Sequence, residues 1–292
     1  MNLGELQGIV GASGGGPFAQ GYAQILLAKI ERLEATNDYG GLFQQFRESK
    51  QQGDFRGRVL EINFADAFLS QSTLLRYGVS QGGGGDVDFL WQLPDADVFI
   101  EMKLLGQDLA TKESINQQLE ARGFSATGIA DDTYDVARIQ RDIFQKASPR
   151  KFACPPKLRC VNLVAIDVSE LQLGTVDMGD CVLAATGNDE VAKYFDETYL
   201  RPEVVGVFEG KAPSNPTADR LEWMRRYHPD LHGAPHPCEY IHGVLFLFRE
   251  PKERAALSYR LDGSVVWNRK LVDESAAKYV ARSLREIILA PK

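Results

Sequence analysis

The chain has few cysteines, no long apolar run and no excess of positive charge, and each shortage removes a class of protein. Cys154, Cys160, Cys181 and Cys238 are the whole complement, and their irregular spacing argues against a secreted disulfide scaffold. Apolar stretches such as 244–248 are far too short to cross a bilayer, so no membrane partner is expected. The amino terminus carries Glu5 and lacks a basic segment followed by an apolar core, which predicts no secretory signal and a cytoplasmic protein. With 33 basic and 40 acidic residues the net charge is −7, which excludes a surface coated in basic residues. The glycine-rich segment 8–16 lacks the lysine-serine/threonine of a phosphate-binding loop and reads as a flexible lead-in.

What is present fits an enzyme-sized core. The 292 residues are 44% hydrophobic and 25% charged, enough for one decorated domain or two small ones. The most informative stretch opens with four glycines, 82–85, read as a turn, and continues through Asp88 and the apolar Phe89, Leu90 and Trp91. Turn residues follow at 93–97, then a second apolar run, 98–105, interrupted by Glu101 and Lys103. Side chains alternate along a strand, so Phe99, Glu101 and Lys103 share one face and Val98, Ile100 and Met102 the other. If the two runs pair as a hairpin, Asp88, Glu101 and Lys103 converge beside a buried sheet. Two close carboxylates oppose each other's ionisation, and a divalent cation removes that conflict. Hard oxygen donors favour Mg2+ or Mn2+. The plainer alternative is a Glu101–Lys103 pair on the solvated face of an edge strand.

The surroundings add order to the hairpin. A helix is predicted from Arg56 to about Leu75, on the near-helical recurrence of Val59, Leu60, Ile62, Ala65, Phe68 and Leu69. Another is predicted over 131–146, with Ile139, Ile143 and Phe144 as its stripe, and 158–168 reads as a buried central strand. A helix over 22–34, a polar connector over 44–54 and an insertion over 105–130 complete this part. Beyond 169, strand-like runs (204–208, 240–249, 257–261, 265–267) alternate with helical ones, and 261–264 reads as a hairpin turn. The last helix is predicted over 273–289.

An aspartate opening one strand and Glu101-Met102-Lys103 on the next resemble the PD-(D/E)xK nuclease superfamily, the restriction-endonuclease-like fold. The resemblance covers about 56–168, a little over a third of the chain, and the family's proline before the aspartate is absent. It implies an α/β fold with a mixed central sheet flanked by helices in αβββαβ order and a strand- and helix-containing C-terminal extension. The domains would be a helical lead-in (1–55), the nuclease-like core (56–168) and an α+β extension (169–292) that packs on the core or stands beside it. It implies Asp88 and Glu101 as ligands of the cation, a main-chain carbonyl near Met102 helping, and Lys103 assisting the attacking water. Glu61 matches the acid that the first core helix often carries, as a further ligand; its other reading is an acid favoured by the helix dipole. Gln140 and Phe144 keep the spacing of a supporting glutamine and aromatic in RecB-like members, with phenylalanine in place of the usual tyrosine.

The implied function is a Mg2+-dependent deoxyribonuclease in restriction, defence or repair, with DNA as partner and a homodimer as a further implication. The alternative is a catalytically inactive nucleic-acid-binding or scaffold protein that retains the fold. A basic strip at 138–159 (Arg138, Arg141, Lys146, Arg150, Lys151, Lys157, Arg159) against the single acid Asp142 offers phosphate contacts or a solvated helix. His228, His232, His236 and His242 cluster with Cys238, but Pro229, Pro235 and Pro237 break any helical alignment. A proline-rich surface loop is therefore preferred there to a structural Zn2+ site.

Overall fold

Alternation of side chains along three successive apolar runs builds the first half of a mixed sheet. In a computed structural model of the chain, the described residues are 1–12, 17–49, 52–81, 84–106, 132–153, 159–171, 176–187, 206–209, 235–249 and 257–288, with 113, 117–118, 120–123 and 204 between them. Four helices come first: α1 (Leu3–Ala12), α2 (Pro17–Glu34), α3 (Gly40–Glu48) and α4 (Gln52–Leu69). Strands β1 (Leu75–Ser80), β2 (Asp86–Gln92) and β3 (Asp97–Leu104) follow, then α5 (Asp132–Lys146), β4 (Cys160–Asp167), α6 (Met178–Thr186), β5 (Gly243–Phe248), β6 (Asp262–Trp267) and α7 (Glu274–Ile288).

The six strands lie in sequence order. β1, β2 and β3 form an antiparallel meander, β3, β4 and β5 run parallel, and β6 returns antiparallel to β5. The protein is thus α/β, with helices on both faces of one mixed sheet. One face packs Phe89, Trp91, Val98, Ile100, Met102, Leu163 and Leu245 with the first four helices and α7. The other packs Val164, Ile166, Val244 and Phe246 with α5 and α6. Every residue of β4 is buried, as expected of a central parallel strand covered on both sides. Among the described residues no helix is long and apolar enough to cross a membrane.

Helix α4 carries Arg58 and Glu61 of the candidate site. Residues 59–66 are all buried, because α4 lies between the sheet and helices α2 and α3. Its Phe64 and Phe68 pack on Phe89 and Trp91 of β2, at ring separations of 5.6 and 5.2 Å. A polar pair pins it from outside. Asn63 donates to Val59 O and Leu257 O and accepts from Lys29 and the Tyr259 amide, while Asp66 takes Arg32 at 2.6 Å.

Several local expectations are corrected. The helix expected to reach Leu75 ends at Leu69, and the edge strand β1 follows it. The connector expected over 44–54 holds the end of α3 and the start of α4, and the lead-in is helical through Ala12. Residues 207–209 form a 3-10 turn, not a strand. Leu257, Tyr259 and Leu261 are buried but not in a strand. Gly263 is part of β6, where a Cβ would stand 2.8 Å from Phe246 O, so 261–264 is no hairpin turn. Most of 105–130 lies outside the described residues.

Candidate active site between β2, β3 and α5

The hairpin forms as the alternation requires. Phe89 pairs with Ile100 and Leu90 with Phe99. One step beyond the last pair, the Asp88 carboxylate accepts a hydrogen bond from the Met102 amide at 2.7 Å. That contact fixes the start of β2 against β3 and brings Asp88 to the level of Glu101. Glu101 is fully buried on the α5 side of the sheet.

Two ammonium groups hold Glu101. Lys146, the last residue of α5, and Lys151 each donate to Glu101 Oε1 at 2.6 Å, and Lys146 also lies 4.0 Å from Asp88 Oδ2. Lys151 can reach because Gly85 has no side chain: a Cβ there would lie 3.2 Å from Lys151 Cγ and 3.3 Å from Arg150 O. The glycine turn before β2 therefore admits the segment after α5. At Gly85 the role is close approach, while Gly82 and Gly83 lie outside the described residues.

Glu61 completes the cluster from the opposite side. Both its oxygens accept from Arg58 Nη1, at 2.6 and 2.7 Å, and the Tyr77 hydroxyl donates to it at 3.2 Å. Burial, reinforced by the charge of Asp88, raises the Glu61 carboxyl to about 7. Burial and Asp88 also raise Glu101, against the pull of Lys146 and Lys151. Burial works against the Lys146 ammonium, yet Asp88 and Glu101 outweigh it and its pKa is raised. Glu61, Asp88 and Glu101 thus share one field with Arg58, Lys146 and Lys151, three acidic side chains against three basic ones.

The structure brings Asp88 and Glu101 together, leaves Glu61 within the electrostatic reach of Asp88, and directs other expected residues elsewhere. Lys103 shares the Glu101 face, yet among the described residues its ion pair is with Asp142, at 4.0 Å. The Gln140 amide donates to Ala184 O and ties α5 to α6. In the basic strip, Arg138 is buried against Asp135 and Gly106 O, Arg141 pairs with Asp142, and Lys146 and Lys151 turn inward to Glu101. Arg150 is exposed, and Lys157 lies outside the described residues. Arg58 and Tyr77 were not anticipated. Arg58 stands one helical turn before Glu61, a visible pairing signal, whereas Tyr77 sits on the unanticipated β1. Of the histidines, His236 and His242 each accept a backbone amide on Nδ1, from Cys238 and Asn162, and His228 and His232 lie outside the described residues.

Among the described residues no group of three or more histidine, cysteine, aspartate or glutamate side chains is arranged to hold a metal ion. The donor set at Asp88 and Glu101 nevertheless fits a hard divalent cation. Glu101 Oε2 is buried without a hydrogen-bond partner, and two carboxylates crowded in a low-dielectric site favour a shared positive charge. No family model, curated protein or solved structure matches this chain.

Proposed function

We propose that this chain is a metal-dependent deoxyribonuclease with a restriction-endonuclease-like core over α4 to β4, hydrolysing phosphodiester bonds. The observation that carries the reading is the convergence of Asp88 and Glu101 on adjoining strands, with Glu101 Oε2 unpartnered and two lysines at the same carboxylate. Asp88 and Glu101 would hold the cation, with Glu61 beside them; when bound, it would supply an activated water and neutralise charge on the phosphate.

The chain's own groups have separable tasks. The Met102 amide orients Asp88. Lys146 and Lys151 are tethered by flexible stems and both lie on Glu101 Oε1, so an arriving phosphate would draw their ammonium groups from carboxylate to phosphate oxygen. Arg58 and Tyr77 fix Glu61, whose raised pKa lets it hold a proton near neutral pH. Lys103, two residues along the strand from Glu101 and on the same face, would assist the nucleophile.

The competing reading is a non-catalytic nucleic-acid-binding protein, favoured by the local charge balance, since the carboxylates are already neutralised. Incubation with plasmid DNA and Mg2+, beside Glu101→Ala and Lys103→Ala, separates the two. Nicking by the wild type that both variants lose supports the nuclease; equal nicking by all three marks a contaminant, and none by the wild type favours the competing reading.

A further inference from the structure

Strand β3 and helix α5 meet as a charge ladder with crossed signs. Alternate residues on a strand stand about 6.5 Å apart. Residues four apart on a helix rise by about 6 Å. The spacings match, so Glu101 meets Lys146 and Lys103 meets Asp142 along the same seam. α5 runs against β3 there because it is the return between the parallel strands β3 and β4.

Asp142 is the rung without an assigned role, and it is the lone acid of the otherwise basic strip. Its side chain is 1% exposed. Oδ1 accepts from Arg141 Nε at 3.0 Å, whereas Oδ2 is buried with no hydrogen-bond donor. Lys103 Nζ stands 4.0 Å from that oxygen, close enough for attraction and too far for a hydrogen bond. A carboxylate buried with an oxygen unsatisfied is costly, and an apolar side chain of similar size would pack there at less expense. Glu101 Oε2, the other unpartnered carboxylate oxygen on this seam, belongs to the neighbouring rung.

We propose that Asp142 is a positioning residue that holds the Lys103 ammonium on the α5 side of the carboxylate cluster, ready for the nucleophile or the phosphate. The loose contact is what the task needs: a tight hydrogen bond would sequester the ammonium, and no counter-charge would leave a half-exposed lysine free to wander. This rests on the nuclease reading, while the contact itself is independent of it.

Two measurements test it. Amine-selective acylation, followed by peptide mass mapping, reads the contact without any activity. In Asp142→Asn, Lys103 should label about threefold faster than in the wild type, with the exposed Lys278 as an unchanged internal reference. Equal labelling overturns the proposal even if the protein cleaves DNA. Cleavage kinetics read the role. Asp142→Asn should lower kcat about tenfold or more with little change in KM, Asp142→Glu should recover part of it, and Asp142→Asn in a Lys103→Ala background should cost nothing further. Additive losses in the double variant would reveal a merely structural aspartate and overturn it. A wild type that never cleaves, with faster Lys103 labelling in Asp142→Asn, would remove the nuclease reading and leave the contact standing.

Discussion

Replacing Lys146 by methionine should weaken the fold and strengthen metal binding at once. Lys146 gives Glu101 one of two 2.6 Å contacts and lies 4.0 Å from Asp88. A hydrogen bond to a charged group contributes about 1.5–3 kcal/mol, and Lys151 stays on the same oxygen, so the loss should sit near the lower end. Metal binding responds in the opposite sense. A unit charge 4 Å from another interacts by up to about 4 kcal/mol at an effective dielectric of about 20, more for a divalent ion. Solvent and rearrangement of Lys151 absorb most of that, which leaves a gain in Mg2+ affinity of about tenfold to a hundredfold. Urea denaturation with and without Mg2+ and calorimetric titration of Mg2+ measure both effects. The expected result is a lower midpoint without metal, tighter binding and a midpoint recovered by Mg2+. Binding no tighter than in the wild type would refute the idea that ammonium and cation share these carboxylates.

Other outcomes follow from the same geometry. Gly85→Ala should destabilise the fold by about 1–3 kcal/mol, the usual cost of overpacking, because its Cβ meets Lys151 and the Arg150 carbonyl; an unchanged urea midpoint would show that the segment yields freely. His242, buried with Nδ1 accepting the Asn162 amide, has its pKa lowered by burial to about 4. The unfolded chain therefore binds a proton that the folded chain refuses between about pH 6.5 and 4, and stability falls by about 3 kcal/mol as pH drops through that window. Glu61, raised to about 7, acts in the opposite direction: the folded chain takes up its proton first, so its contribution is greatest in acid and is lost as pH rises through 7. In Glu61→Gln the acid loss should steepen and in His242→Gln it should shrink, both read from urea midpoints between pH 4 and 8; parallel profiles would contradict the assignment.

Where a residue's environment is set by strand alternation, the sequence was readable. Phe99, Glu101 and Lys103 share a face because they alternate, and Asp88 reaches Glu101 because a short turn joins two apolar runs. The strand 160–167 was legible as buried from its unbroken apolar run. β1 was not, since Leu75–Ser80 is a half-exposed edge with Gly78 at positive φ and no continuous apolar signal. The destination of the lysines was also hidden. Lys146 and Lys151 look like phosphate-binding surface charges in a basic strip, but the lie of α5 along β3 brings Lys146 to Glu101 and the close approach at Gly85 admits Lys151. Lys103 shows the converse: its side of the strand was readable, but its partner, Asp142, depends on how α5 lies across the sheet.

The most direct test is an anomalous difference map from crystals soaked in Mn2+. The account predicts a peak between Asp88 and Glu101, beside Glu101 Oε2, with the Lys146 ammonium displaced from the carboxylate. A peak elsewhere, or none at these residues with Lys146 and Lys151 still on Glu101, would contradict it.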